Sequence, residues 1–414
     1  MKQIDARPRF RSLERTWQTL KTAPFLALAA MSFVPRDAAA AVPIKICFVD
    51  DRSGAAADTG KLSLEGIELA IDQFNAAGGA HGHTAQLVAY DGKTDPQLSA
   101  TYAQRCAEDD NALLILGGDP TAPAAAMIPI AEDNRIPLFI LAATADRLTQ
   151  PVMPYVFRFG PDSTQEAQAV ADLLAMQHFK RVALVACSAT SGIDYLRAIT
   201  AALNKQNIPV VIEQTYDINA VDLSPQMANI RNTKPDVVVV IPYPADGARV
   251  LRTAQQLGMT VPTVVVRTVL MDTLRKLAGD SSDGVVTPNT VDTSRADVKL
   301  LFSQLDTRYG PHQPTLYSVI SYDAARVSLA IASQPGVLQR LEANDIATAR
   351  QNFRDEVEHV GTFEGVQGRK GATYRFSALS HQGPAGNNWY VYTQVTENGT
   401  RLVPANLKTF SPRK

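Results

Sequence analysis

Short apolar segments alternate with longer amphipathic segments along most of this chain. The run IKICFVD at 44–50 has the length and composition of a buried strand. In the segment that follows, Ile67, Ile71 and Phe74 recur at helical spacing before Gly78-Gly79, a pair that ends a helix. Further strand-like runs come next, separated by helical stretches: AQLVAYD, ALLILGG and IPLFIL. This order predicts a parallel sheet with right-handed crossovers.

A second series of strands and helices begins after position 160. Its apolar runs are RVALVAC, VVIEQTYD, DVVVVIPY and PTVVVRT, and we predict helices at 164–178 and 245–257. The stretch from about 291 to 360 is mostly helical in pattern, and 374–403 resembles a β ribbon. The pattern therefore predicts two α/β lobes, with a chain that returns to each lobe in turn.

The first forty residues have a different composition. Basic residues precede the apolar run APFLALAAMSFV, and RDAAAA then supplies the small residues of a leader-peptidase site. Roughly twelve apolar residues fall short of the ~20 that a membrane-spanning helix needs. We therefore expect a signal peptide over 1–40, cleaved near Ala40 or Ala41, and an exported protein.

Composition and charge narrow the possible partners. The chain has 414 residues, 45% of them hydrophobic and 20% charged, which is typical of a globular protein of about two domains. The leader contains seven of the 40 basic and three of the 41 acidic residues, so 33 basic and 38 acidic residues remain. This negative balance argues against nucleic acid or an anionic membrane as a partner.

The side chains that commonly carry chemistry are sparse. Cys47, Cys106 and Cys187 allow at most one disulfide, and buried free thiols are equally compatible with the pattern. His81 and His83 have no further ligand at a metal-site spacing, and no G-x-S-x-G motif is present. The glycines after the first strand lack both the G-x-G-x-x-G spacing and the Lys-Ser/Thr pair of a phosphate loop. We expect no catalytic residues, no metal and no cofactor.

An ordered set of motifs resembles a known family. The motifs are Ser53-Gly54 and Gly60, GIELAIDQFNAAGGAHG, Asp91 with Asp95-Pro96, Gly117-Gly118, IPLFILAAT, YVFRFGP, KRVALV, KPDVVVV, LRTAQQLG, LAGDSSDGV and SYDAA. From about position 43 onward the chain resembles the leucine/isoleucine/valine-type periplasmic solute-binding proteins that serve ABC importers. The resemblance implies the type I periplasmic-binding fold, with two Rossmann-like parallel-sheet lobes joined by a three-crossing hinge.

The resemblance also implies a domain organisation and a role. Lobe 1 is expected at 43–160 plus 291–363 and lobe 2 at 161–290 plus 364–414. The protein is then a monomeric periplasmic receptor that closes its lobes on a small-molecule or lipid ligand and docks on a membrane permease. A ligand-sensing module, or a carrier of a larger apolar molecule such as a sterol-like lipid, is the alternative.

Five positions match ligand contacts of the family. Thr121 matches a position whose hydroxyl and backbone hold the α-carboxylate of the ligand. Ala142 and Thr144 match positions that contact both the α-carboxylate and the α-ammonium. Tyr243 matches an aromatic residue of the second lobe that covers the ligand, and Tyr317 matches an apolar wall position.

Three positions depart from the family pattern. Ser191 stands where the amino-acid binders carry an aromatic ring, and Asp119 stands where an apolar side chain is usual. Arg267 replaces the carboxylate that pairs with the ligand's ammonium, a group that an arginine repels. We therefore expect a ligand other than an ordinary zwitterionic branched-chain amino acid. A carboxylate without an amine, an amide or urea, and a larger apolar molecule remain as alternatives.

Overall fold

The computed structural model describes residues 41–403, apart from 243, 267–270, 312–314, 387–388 and 398. The predicted signal peptide over 1–40, the positions of Tyr243 and Arg267, and the end of lobe 2 at 404–414 lie outside the described residues. In the part of the chain that is described, no helix is long and apolar enough to cross a bilayer.

The first sheet consists of parallel strands in the order β2-β1-β3-β4-β5. Its strands are β1 (Ile44–Asp50), β2 (Ala85–Asp91), β3 (Leu114–Gly117), β4 (Leu138–Ile140) and β5 (Val156–Arg158). The helices between them are α1 (Ala57–Ala76), α2 (Pro96–Glu108) and α3 (Thr121–Asp133), with a short 3-10 turn at Asp146–Leu148. The alternation of strands and helices confirms the predicted βα series.

The second sheet repeats this arrangement. Its parallel strands are β6 (Val182–Cys187), β7 (Val210–Tyr216), β8 (Val237–Ile241), β9 (Thr263–Val265) and β10 (Val286–Asn289). The helices are α4 (Ser163–Met176), α5 (Thr190–Lys205), α6 (Ser224–Asn232), α7 (Pro244–Gln256) and α8 (Met271–Ala278), and a 3-10 turn follows at Gly279–Ser282. The strand order is β7-β6-β8-β9-β10.

The chain then returns to the first sheet as a helical segment. Its helices are α9 (Ala296–Tyr309), α10 (Leu316–Ala332), α11 (Pro335–Glu342) and α12 (Ile346–His359). α10 packs closely along α1, and a Cβ at Gly66 would lie 2.4 Å from the carbonyl oxygen of Ser318. Glycine at this position therefore lets the two helices approach each other.

Residues 361–403 contact both sheets. β11 (Thr362–Glu364), β12 (Thr373–Arg375) and β13 (Pro384–Ala385) form a small antiparallel sheet, and β14 (Val391–Thr396) and β15 (Gly399–Val403) extend the second sheet beside β10. Tyr374, Phe376 and Trp389 pack in the hydrophobic core of the first sheet. The predicted ribbon is thus divided between two sheets, and the predicted lobe boundaries stay a prediction.

Alternating side chains of each central strand enter opposite hydrophobic cores. Phe48 of β1 faces the core shared with α1 and α10, and its neighbour Cys47 faces the core shared with α2 and α3. In β6, Leu184 and Val185 divide in the same way. Strands covered on both faces are the expected outcome for parallel sheets. The structure confirms an α/β fold with two parallel-sheet lobes, and the chain passes between them after β5, after β10 and before β14.

The structure also decides the pairing of the cysteines. Cys47 of β1 and Cys106 of α2 form a disulfide with their Cα atoms 6.0 Å apart. Cys187, at the end of β6, is buried and lies outside any disulfide. Cys47, Cys106 and Asp110 lie close enough together to be considered as metal ligands. Both sulfurs are in the disulfide, so this cluster offers no free thiolate to a metal.

Candidate ligand-binding site

In both sheets the strand that comes first in the chain, β1 or β6, lies inside the sheet, and the following strands are added first on one side of it and then on the other. The order of the strands therefore reverses next to β1 and next to β6. In open α/β sheets a crevice forms at this point, at the carboxyl ends of the strands, and ligands bind there. In the first sheet the reversal lies between β1 and β3, so the crevice is bordered by residues that follow Asp50 and Gly117. In the second sheet it lies between β6 and β8, next to the start of α5.

Two carboxyl groups meet at the crevice of the first sheet. The backbone N–H of Asp119 donates to Oδ2 of Asp50 at 3.0 Å, and the hydroxyl of Ser63 donates to Oδ2 of Asp119 at 2.9 Å. Oδ1 of Asp119 is buried and has no hydrogen-bond partner among the described residues. Oδ1 of Asp50 accepts from the backbone N–H of Asp51 at 2.9 Å. Asp119, which the sequence placed in the ligand site, thus belongs to a buried acidic pair.

Burial determines the protonation of this pair. Loss of hydration raises the pKa of Asp119 to about 7, although the Ser63 hydroxyl stabilises the charged form. Burial, followed by the charge of Asp119, raises the pKa of Asp50 well above its ordinary value. Two carboxyl groups this close titrate as a pair, so the second negative charge forms only at high cost. At neutral pH the pair therefore retains a proton.

The glycine-bearing turn after β1 serves close packing. A Cβ at Gly60 would lie 1.8 Å from the carbonyl oxygen of Asp51, so the first turn of α1 rests directly on the loop that follows the strand. The Asp51 carboxylate accepts from the backbone N–H and from the hydroxyl of Thr94, each at 2.6 Å. These contacts hold the loop beside the acidic pair.

A small cavity lies where the two lobes meet. Its volume is about 30 Å³. Ala142 and Thr144 line it from the segment after β4, and Glu166 lines it from the first turn of α4. The other lining residues are Gly160, Pro161, Pro288, Asn289, Thr290, Leu316, Ile320 and Tyr390. Two of the residues predicted to contact the ligand, Ala142 and Thr144, are thus brought to one crevice between the lobes.

The segment that contains Ala142 and Thr144 is held from both sides. Arg158, at the end of β5, is fully buried and donates from Nη1 to the carbonyl of Ala143 and from Nη2 to that of Ala145, the latter at 2.6 Å. The backbone N–H and the hydroxyl of Ser163 donate to the carbonyl of Thr144, at 2.8 and 3.0 Å. Burial lowers the pKa of Arg158 to about 10, so its guanidinium stays charged at neutral pH.

Glu166 enters the cavity from a well-capped helix. The Asp162 carboxylate accepts from the backbone N–H of Gln165 at 2.8 Å, and the Gln165 side chain accepts from the N–H of Asp162 at 3.2 Å. This reciprocal pair fixes the start of α4. Oε2 of Glu166 accepts a hydrogen bond from the hydroxyl of Tyr195, and the Tyr390 hydroxyl is buried with no hydrogen-bond partner in the described part of the chain.

The other predicted contacts that the structure describes are not among the residues that line this cavity. Thr121 is the first residue of α3 and is half-buried, and Tyr317 is half-buried near the start of α10 beside the first core. Ser191 is buried in the first turn of α5. Tyr243 and Arg267 lie outside the described residues.

Sequence reasoning missed four residues of this region: Asp50, Ser63, Glu166 and Tyr390. Asp50 carried a signal, because it ends an apolar strand next to a second acid. Glu166 followed a recognisable capping box but looked like an ordinary first-turn acid. Tyr390 carried no local signal, because only the return of the chain before β14 places it on the cavity.

Comparisons with known proteins agree on one family. The sequence pattern of the periplasmic binding proteins matches residues 43–400. The chain is 30% identical over 251 residues to the Leu/Ile/Val-binding protein of Escherichia coli K12, an alignment that covers 60% of this chain and 68% of that protein. Among solved structures, a periplasmic binding protein type 1 from Bordetella pertussis shares the fold with a TM-score of 0.76 at 22% identity, over 87% of this chain and all of that one.

A branched-chain amino acid transporter substrate-binding protein from Streptococcus pneumoniae, solved with isoleucine, has a TM-score of 0.74 at 20% identity over 87% of this chain and 99% of that one. At such identities the structures establish the fold alone. The match over 43–400 and the Escherichia coli relative establish more, and they agree with the resemblance noted in the sequence. This chain belongs to the periplasmic binding protein family.

Proposed function

We propose that this protein is a periplasmic solute receptor of an ABC importer. It captures a small molecule in the crevice between its two lobes and presents the molecule to a membrane permease, as a monomer. The single observation that carries the proposal is the cavity at the lobe junction, where Ala142 and Thr144 of the first lobe face Glu166 of the second. A ligand held there contacts both lobes, so binding energy favours the closed arrangement over the open one.

We further propose that the solute differs from leucine, isoleucine and valine. An amino acid held by the start of α3 would place its carboxylate near Thr121, two residues after Asp119. The buried pair of Asp50 and Asp119 would repel a second anion beside it, which favours a neutral or positively charged ligand group at this point. Ser191 also provides no aromatic surface for a branched apolar side chain. Amides, ureas and amines suit these groups better than a zwitterion does.

The names of the relatives indicate the alternative ligand class, the branched-chain amino acids. The Escherichia coli protein is named for leucine, isoleucine and valine, and the Streptococcus pneumoniae structure contains isoleucine. Calorimetric titration of the purified protein with each of the three amino acids separates the two cases. Our proposal predicts no binding in the micromolar range. Micromolar affinity for leucine would contradict the ligand proposal and leave the receptor role in place.

The receptor role has its own test. The protein is purified from the periplasmic fraction and denatured. The small molecules that it releases are then identified by mass spectrometry. We expect one stoichiometric solute, which then gives a calorimetric titration after refolding and shifts the small-angle scattering profile toward a more compact form. A protein that releases no solute, and whose scattering profile responds to none of the solutes in a periplasmic extract, would contradict the role.

A further inference from the structure

We infer that Glu166 and Tyr390 form a subsite at the floor of the lobe crevice that binds a hydrogen-bond donor of the solute, an ammonium or an amide N–H. The inference rests on the proposed receptor role and deepens it by naming a chemical class for one end of the ligand. It is carried by the cavity that these residues share with Ala142 and Thr144.

The Glu166 carboxyl supplies the acceptor. The residue is 6% exposed, and it lines the cavity from the first turn of α4. Tyr195 donates to Oε2. A carboxylate offers about four acceptor positions on its two oxygens, so it accepts several hydrogen bonds at once. A buried carboxylate also binds a cation more strongly than an exposed one, because little water screens the interaction.

The Tyr390 hydroxyl supplies an independent indication. Tyr390 is 8% exposed and lines the same cavity, and its hydroxyl has no hydrogen-bond partner among the described residues. Burial, and then the charge of Glu166, raises the pKa of Tyr390 well above its ordinary value, so the group remains a neutral hydroxyl. Buried hydroxyls are nearly always hydrogen-bonded, and an unpaired one next to a cavity indicates a missing partner.

Neighbouring polar groups are already engaged as acceptors. Oδ1 of Asn289 accepts from the backbone N–H of Val291 at 3.1 Å, and Oγ1 of Thr290 accepts from the Gln367 side chain at 3.0 Å. Among the described residues that line the cavity, Glu166 is the one that carries a carboxyl group. Its position favours a ligand group that donates over one that only accepts.

The size of the cavity limits what enters it. A volume of about 30 Å³ is enough for a small polar group, such as an ammonium or the NH₂ of an amide. The rest of the solute then extends past Ala142 and Thr144 into the crevice. An ordered water bound by Glu166 and Tyr390 is the competing occupant, and the experiment distinguishes the two.

The test uses three probes with one carbon skeleton: 3-methylbutylammonium, 3-methylbutanamide and 3-methylbutanoate. Calorimetry and thermal shift are recorded for the wild type, Glu166→Gln and Tyr390→Phe. Glu213→Gln is the matched control, because Glu213 is an exposed acid on β7. We expect the wild type to bind the ammonium and the amide at least about tenfold more tightly than the carboxylate, as charge-assisted hydrogen bonds imply.

In Glu166→Gln the affinity for the ammonium should fall by about tenfold or more, and that for the amide by less, since a neutral acceptor remains. Tyr390→Phe should weaken both donors about threefold or more while the melting temperature of the empty protein stays the same or rises, because it removes an unpaired buried hydroxyl. A purely structural role for Tyr390 would lower that temperature. Glu213→Gln should behave as the wild type.

Three results would overturn the inference. They are a wild-type preference for the carboxylate, no response to either donor at millimolar concentration, and unchanged donor affinity in Glu166→Gln, which is the result expected if the cavity only holds water. The receptor role is judged separately on the solute that co-purifies with the protein. If Thr144→Ala weakens the binding of that solute and Glu166→Gln does not, the receptor role is supported and the proposed subsite is contradicted.

Discussion

The carboxyl groups of Asp50 and Asp119 lie together at the carboxyl ends of β1 and β3, where the backbone N–H of Asp119 donates to Oδ2 of Asp50 at 3.0 Å. The pairing of Val49 with Gly117 in neighbouring parallel strands produces this contact. The two acids are 69 residues apart in the chain, so folding brings them together and thereby couples the stability of the fold to their protonation.

Stability should decrease as the pH rises through the range in which Asp119 loses its proton. Its pKa is about 7 in the folded protein and near 3.8 in an unfolded chain, so the folded state holds a proton between about pH 4 and 7 that the unfolded state releases. Each step up in pH within that window therefore favours the unfolded state. Chemical denaturation at pH 5 and pH 8 measures the change.

The variant Asp119→Asn should show a smaller pH dependence, with the remainder due to the buried Asp50. The substitution removes one ionisable group. Relative to the wild type, the variant should therefore be more stable at pH 8 than at pH 5. Asp109→Asn, which changes an exposed acid at the end of α2, is the control and should follow the wild type. An Asp119→Asn protein with the wild-type pH slope would assign the dependence to another group.

Thr121→Ala and Thr144→Ala should each weaken binding of the co-purifying solute by ~1 to 3 kcal/mol, the range for a lost hydrogen bond to a charged or buried group. Both residues are half-buried in the empty protein, so its melting temperature should change little. Thr101→Ala, on the exposed side of α2, is the matched control. Equal affinity in the wild type and in both variants would show that the ligand binds elsewhere.

Arg158→Met should lower both stability and ligand affinity, because the carbonyls of Ala143 and Ala145 lose their donor and the segment around Thr144 is no longer held. Arg350→Met is a matched comparison. Arg350 is also buried and donates to the carbonyls of Ala107 and Ala112, at 2.8 and 2.9 Å, which precede β3, whereas the cavity residues Ala142 and Thr144 follow β4.

We expect each arginine variant to cost about 2 to 4 kcal/mol of unfolding free energy, since buried carbonyls are left unsatisfied. A further loss of about tenfold in ligand affinity should occur in Arg158→Met alone. Urea denaturation and calorimetry on the two proteins separate the effects. Equal affinities in the two variants would mean that Arg158 acts on stability only.

Removal of the Cys47–Cys106 disulfide should destabilise the protein by about 4 kcal/mol, the chain-entropy value for a loop of this length. The two cysteines are 59 residues apart, so the bridge restricts a long segment of the unfolded chain. The wild type should melt at a lower temperature after reduction, and the double variant Cys47→Ala/Cys106→Ala should not respond to reductant. A reductant effect in the double variant would point to Cys187.

The sequence by itself determined the order of strands and helices and the family. An apolar run of seven residues such as 44–50 is too short for an ordinary helix and predicts a strand buried on both faces, and the helix ending at Gly78-Gly79 is a local consequence of side-chain periodicity and glycine. These features depend on residues that are near one another in the chain. The predicted helices at 164–178 and 245–257 correspond closely to Ser163–Met176 and Pro244–Gln256 for the same reason.

Only the tertiary structure decided which distant residues meet. Three cysteines allow three pairings, and the packing of α2 on β1 selects Cys47 with Cys106. The contact of Asp50 with Asp119 requires the parallel pairing of β1 with β3, and the approach of Tyr390 to Glu166 requires the last passage of the chain between the lobes. Pairings of this kind depend on long-range packing, in which the folded chain overcomes the entropy of closing long loops, and no local pattern records them.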